Sequence, residues 1–134
     1  MKLCRPEWPI TSLLERSVPL WQLAMSGLVV TENQGIDWKD TMRALLLSQH
    51  PRYEWATHPG VHPVLDKPMI RKIKARYDLL IKRFGHLRTQ QMTDYRREGL
   101  AESTTFEDGT RVTADFATGD LRVNDKRIER PEEA

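Results

Sequence analysis

The sequence predicts an α+β fold, in which a buried strand and helices precede a small antiparallel β-meander. Three observations predict it. Between Thr104 and Asp125, apolar and polar residues alternate between turn signals. Ser17 to Val30 is a continuous apolar run. From Asp66 onward, apolar residues recur at three- and four-residue spacing. Alternation marks a strand with one dry and one wet face, and a period near 3.6 marks a helix.

The run SVPLWQLAMSGLVV is bounded by Pro19 and Gly27. Unbroken apolar character over that length suits a parallel strand covered on both sides, with Trp21 in the core. A buried helix is the competing reading, and periodicity does not separate the two. The polar loop TENQG follows. Asp37 can then cap a helix from about Trp38 to Ser48, with Met42, Leu45 and Leu46 inward. Residues His50 to Pro68 hold Pro51, Pro59, Pro63 and Pro68 together with Gly60, which forbid a regular element. Asp66 caps a long helix, with Pro68 in its first turn where a missing N–H costs nothing. Ile70, Ile73, Tyr77, Leu80, Ile81, Phe84 and Leu87 form its apolar stripe, and Gly85 ends or kinks it. Leu87 to Gly99 leads into the meander.

In the meander, Asp108-Gly109 is a tight-turn pair of the kind a type I′ turn requires. Val112, Ala114 and Phe116 alternate with Arg111, Thr113 and Asp115. Gly119-Asp120 supplies a second turn, after which Leu121 and Val123 continue the apolar face. Asn124-Asp125 supplies a third turn before Ile128. Such a meander is too thin to fold alone and must lean on another element. The organisation expected is residues 1–98 as strand and helices and residues 99–134 as the meander tail.

Composition narrows the function. With 134 residues, 39% hydrophobic and 30% charged, the chain has the make-up of one globular domain. A net charge of +2 gives no drive toward a polyanion. Cys4 is alone, so no intrachain disulfide forms. No window is long and apolar enough to cross a bilayer, and the first residues lack the apolar core of a signal peptide. No membrane partner and no cofactor are therefore expected.

His50, His58 and His62 cluster, and His58 and His62 have the spacing of two helical zinc ligands. Pro59 and Gly60 break that helix and no third ligand accompanies them, so the expectation is surface-loop histidines and no metal. Lys67, Arg71, Lys72, Lys74, Arg76, Lys82, Arg83 and Arg88 give the long helix a basic face. Such a face can follow a phosphate backbone, but with so little net charge it reads as solvated rather than nucleic-acid-binding. Trp8, Trp21, Trp38, Trp55 and Tyr53 are many large aromatics for the length; Tyr53 and Trp55, beside prolines, are candidates for stacking on a sugar. Glu32 and Asp37 flank the loop after the apolar run, where ligand sites favour the carboxyl end of a parallel strand. Glu32, Tyr53 and Trp55 are the candidate substrate contacts.

Three motifs occur in one collinear order. They are Val18, Pro19, Leu20 and Gln22; then Tyr77, Leu80, Met92, Thr93 and Asp94; then Phe106, Asp108, Gly109, Thr110, Val112 and Phe116. This order resembles the carboxyl end of the endo-α-N-acetylgalactosaminidase and α-N-acetylgalactosaminidase families of glycoside hydrolases and their uncharacterised bacterial relatives. It covers about residues 17 to 128. Ser26-Gly27 stands where members often have His-Gly, and Asp115 where they usually have Asn.

The resemblance implies the last strand and helices of a partial (β/α)₈-type barrel, followed by the meander. A complete barrel needs roughly 250 residues, and the family's catalytic carboxylates lie on earlier strands. It therefore implies a non-catalytic carboxyl-terminal segment, whose partner is carbohydrate or the missing part of the barrel. Within it, the strand near Trp21 and the hairpins are expected to pack side by side through the Tyr77 helix. An independent hydrolase using Glu32 and Asp37, and a small stand-alone binding protein that touches nucleic acid through the basic helix, are the competing expectations.

Overall fold

The computed structural model describes residues 18–53 and 66–131. The chain runs α1 (Leu20–Met25), β1 (Glu32–Asn33), α2 (Trp38–Leu46), β2 (His50–Pro51) and α3 (Lys67–Tyr77). A π-helical segment (Asp78–Arg83) and a 3₁₀ turn (Gly85–Thr89) lead to β3 (Met92–Glu98), β4 (Ala101–Phe106), β5 (Arg111–Asp115), β6 (Asp120–Val123) and β7 (Lys126–Arg127). The last five strands form one antiparallel sheet in the order β3-β4-β5-β6-β7. The α+β class is thus what the chain adopts.

The meander forms as its alternation requires. Glu102, Thr104, Phe106, Val112, Ala114, Leu121 and Val123 all face inward and are buried. Arg111, Thr113 and Asp115 face the other way. The turns differ from expectation in type. Gly109 alone carries a positive φ at the first expected site, +84°, and the Asp108 carboxylate accepts the Thr110 N–H at 2.8 Å. The type I′ pattern falls instead at Asn124 and Asp125, both with positive φ (49° and 65°), between the paired Val123 and Lys126. Asn tolerates this backbone, and its Oδ1 gains the Arg111 N–H at 2.9 Å.

The lead-in segment before Gly99 is itself strand. β3 pairs with β4 along its length, with a bulge between Met92 and Asp94. It is the long outer edge of the sheet, and Asp94, Arg96, Arg97 and Glu98 are exposed along it.

The sheet leans on α2. Met42, Leu45 and Leu46 are inward as expected, and they join Phe106, Val112, Ala114, Leu121, Leu79, Leu80 and Leu87 in one core. Polar contacts fix the register of this packing. Trp38 Nε1 donates to the Gly119 carbonyl at 2.8 Å, and Thr104 Oγ1 donates to the Leu46 carbonyl at 2.7 Å. The second bond satisfies a carbonyl at the helix end that has no intrahelical partner. Arg43 lies 4.5 Å over the Phe116 ring and 3.5 Å from Glu102. Glu102 is buried and also accepts from the Tyr95 hydroxyl at 3.0 Å. Burial and the Glu102 carboxylate push the Tyr95 phenol up to about 12, so it stays a donor.

Two expectations are corrected. The apolar run is not a buried strand: its described part holds the short helix α1. Leu20 is 71% exposed, Trp21 44% and Leu28 79%. Leu, Gln, Ala and Met are good helix formers, and a parallel strand needs a neighbouring strand that the described residues do not offer here. Gln22 and Ser26 are the buried face, and Ser26 Oγ accepts the Met92 N–H at 2.7 Å. So α1 docks directly on the start of β3, not through the helix of Tyr77.

The second correction concerns the apolar stripe. Ile70 and Tyr77 are exposed, while Arg76 is only 3% exposed. The cause is the π segment, in which the Phe84 N–H reaches back five residues to the Leu79 carbonyl. The wider turn rotates the face, so the stripe that holds at Leu80 and Leu87 has slipped by one position upstream. The Asp66 cap is as expected, accepting the Met69 N–H at 2.9 Å with Pro68 in the first turn.

The parallel sheet among the described residues is one pair, Glu32 opposite His50 and Asn33 opposite Pro51, joined by α2 as the crossover. It does not amount to a partial barrel.

Truncating Leu46 to Ala should cost about 2–5 kcal/mol in urea unfolding, because it opens a cavity at the helix–sheet contact. Leu20→Ser should stay within about 0.5 kcal/mol of the parent, as surface changes do. A strand buried on both sides would instead lose several times that.

Candidate functional site

The two short parallel strands separate their side chains by parity. Glu32, His50 and Arg52 share one face; Asn33, Gln49 and Pro51 share the other. Each face carries a polar cluster.

On the first face, Arg52 Nη1 donates to Glu32 Oε2 at 3.0 Å. Arg88, from the 3₁₀ turn, approaches His50 Nδ1 at 2.6 Å through Nη1 and donates Nε–H to the Gly85 carbonyl at 3.2 Å. Burial, and then the positive charge of Arg88, push the His50 imidazole below its ordinary range; Glu32 opposes them. A neutral imidazole whose Nδ1 accepts from Arg88 fits this arrangement.

The second face is a buried network around Arg76. Arg76 Nη2 donates to Asn33 Oδ1 at 2.8 Å and lies 3.5 Å from the Asp40 carbonyl. Nη1 donates to the Gly35 carbonyl and to the Tyr53 hydroxyl at 3.4 Å. The guanidinium sits 5.7 Å over the Tyr53 ring. Asn33 Nδ2 in turn donates to Gln49 Oε1 at 3.3 Å. All of these acceptors are neutral, and Arg76 Nε has none among the described residues. Gly35 is required by close approach: a Cβ there would coincide with the Asp40 carboxyl group. That carboxyl accepts the Asp37 N–H at 3.1 Å and closes the start of α2.

The expected site residues therefore divide. Tyr53 is drawn into the Arg76 network at the carboxyl end of β2. Glu32 is on the opposite face of the ladder, held by Arg52. Asp37 serves as the helix cap and lies 3.5 Å from Lys72 Nζ. Trp55, the third expected contact, lies outside the described residues, as do Trp8, His58 and His62. Among the described residues no three His, Cys, Asp or Glu side chains converge on a point.

The basic helix face is largely committed. Lys74 and Lys82 both pair with Asp78, at 3.3 and 2.8 Å, Lys72 with Asp37, Arg88 with His50, and Arg76 is buried. No described helix is long and apolar enough to cross a membrane.

Arg76 had no distinguishing signal: it stands three residues after Ile73 and four before Leu80, but Tyr77 fits the same face by the same spacing. Glu102 had one, alternating with Thr104 and Phe106. Comparison with protein-family models, with curated proteins and with solved structures found no match to the chain.

Gly35→Ala should displace the Asp40 carboxyl and forfeit its cap, lowering stability by about 1 kcal/mol in thermal or urea unfolding. His50 gives a pH signature. Its native pKa is depressed, so its contribution is complete above the free-histidine value near about 6.5 and is lost as pH falls through the native value. A stability–pH profile should therefore be flatter below about pH 6.5 in His50→Gln than in the parent.

Proposed function

We propose that this chain is a non-catalytic carboxyl-terminal segment of a glycoside-hydrolase-like, carbohydrate-active protein. In this reading residues 18–53 supply one strand–helix–strand unit to a larger parallel body of the (β/α)₈ type, and the antiparallel sheet is appended to it. Carbohydrate and the remainder of that body are its partners.

The observation that carries the reading is the parallel pairing of β1 with β2 across the α2 crossover. Two strands of two residues each are far below what an independent sheet needs. Parallel sheets belong to bodies covered on both faces by helices, so the pair makes sense as a fragment of a wider one. The exposed apolar residues of the first described segment add support. Val18, Leu20, Trp21, Leu28 and Val30 are all exposed within one short stretch. A patch of this kind commonly marks a contact surface.

The non-catalytic half of the reading rests on Glu32 and Asp37. Glycoside hydrolysis uses two carboxylates aimed at one bond. Here one is paired with Arg52 and the other caps a helix beside Lys72. The carbohydrate half rests on Tyr53, at the strand end where α/β ligand sites gather, and on Trp55 two residues further along the sequence.

Reading the coding sequence on the 5′ side of the Met1 codon tests the proposal. In-frame sequence for further strand–helix units supports it, and an unrelated frame there overturns it. The isolated chain should not hydrolyse an aryl α-N-acetylgalactosaminide. Turnover that disappears in Glu32→Gln would establish an independent hydrolase instead.

A further inference from the structure

His50 has a neighbour that leaves it only one protonation state. The Arg88 guanidinium is always protonated and has no acceptor atom, yet its Nη1 stands 2.6 Å from His50 Nδ1. Nδ1 must therefore offer a lone pair, with the ring proton on Nε2. Burial of the ring and the Arg88 charge both favour this neutral form. The ring is only half-buried, so a proton from solvent can reach it.

The contact ties two distant segments together. His50 starts β2, and Arg88 belongs to the 3₁₀ turn that delivers the chain to β3. The Arg88 Nε–H also closes on the Gly85 carbonyl at 3.2 Å. Leu87, the next residue back, is fully buried in the core. The turn is thus seated by Leu87 independently of the guanidinium.

A second partner lies across the ladder. Glu32 is opposite His50 in the parallel pair and shares its face. Its carboxylate accepts from Arg52 at 3.0 Å, and its charge favours a protonated imidazole. The other charges on the neighbouring elements are engaged elsewhere. On the π segment packed against β2, Asp78 pairs with Lys74 and Lys82, and Arg83 lies 5.0 Å over the Phe84 ring. On the 3₁₀ turn, His86 Nε2 lies 3.8 Å from Asp108.

We propose that His50 is a proton-operated catch. Neutral, it fastens Arg88 and the 3₁₀ turn to β2. Protonated, it releases the guanidinium to solvent and pairs with Glu32 across the ladder. Acidification thus adds one positive charge to this face and uncovers another, while the core stays closed. The device rests on these contacts and does not depend on the glycosidase-like reading.

Nitrogen and carbon NMR of the labelled full chain, taken from about pH 8 to about pH 4.5, tests it. At the upper end His50 should be the Nε2–H tautomer. Its midpoint should lie below the free-histidine value near about 6.5. Through that midpoint, protection of the Arg88 guanidinium protons, referenced to those of the exposed Arg111, should drop at least tenfold. The Glu32 carboxyl carbon should shift with the same midpoint. Arg88→Gln should raise the proton affinity of the ring at least threefold, and Glu32→Gln should lower it at least threefold.

If Arg88→Gln fails to fold, Glu32→Gln carries the test. An Nδ1–H tautomer at the upper end, Arg88 protection unchanged through the midpoint, or a midpoint untouched by Glu32→Gln would overturn the proposal. Loss of the Leu87 amide signal at that midpoint would overturn it too, since acid would then be unfolding the core rather than opening a catch.

Discussion

The seating of α2 on the dry face of the antiparallel sheet is the contact everything else depends on. The sheet has one apolar face, and a sheet of that kind cannot persist with both faces wet. Met42, Leu45 and Leu46 cover it. Two directional bonds then prevent the helix from sliding: the Trp38 indole to Gly119 at one end, and Thr104 to the Leu46 carbonyl at the other. Because α2 is held, the segments on either side of it emerge at fixed points. That brings Glu32–Asn33 alongside His50–Pro51 and assembles polar groups on both faces of so short a ladder.

Much of this architecture is legible in the residues. Where a signal is local and redundant, it succeeds. Asp37 and Asp66 each cap the helix that follows, and alternation from Val112 to Val123 fixes which side chains go inward. Where the signal is composition without period, it fails. The run from Val18 to Val30 contains residues welcome in a buried strand or a helix, and only the presence or absence of a neighbour decides. The π segment defeats the helical stripe differently. One extra residue in a turn is invisible in the sequence, yet it exchanges Tyr77 for Arg76 on the inner face. The turn types failed for a third reason: Asp108 takes a side-chain bond in place of a positive φ, and Asn124 accepts the strained backbone instead. The Arg76 network was hidden because its acceptors are two backbone carbonyls, an amide and a phenol brought together from three separate segments.

The resemblance to glycosidase carboxyl ends and the parallel pairing of β1 with β2 are independent of one another. One is a collinear order of residue types, and the other is a hydrogen-bonded geometry. They are the two grounds on which the proposal of a larger α/β setting rests. The carboxylates do not disturb that reading, since Glu32 and Asp37 are held in structural roles by Arg52 and by the start of α2.

The outer strand β3 has a further consequence for colloidal behaviour. A seven-residue edge offers unpaired backbone groups to any other extended chain, and is the usual starting point for fibrils. Here the bulge between Met92 and Asp94 interrupts the ladder, and four charged side chains crowd the remainder. A second copy adding to that rim would have to desolvate those charges and match an irregular spacing. The molecule can therefore leave its apolar segment around Leu20 and Leu28 uncovered without growing into open-ended β-assemblies.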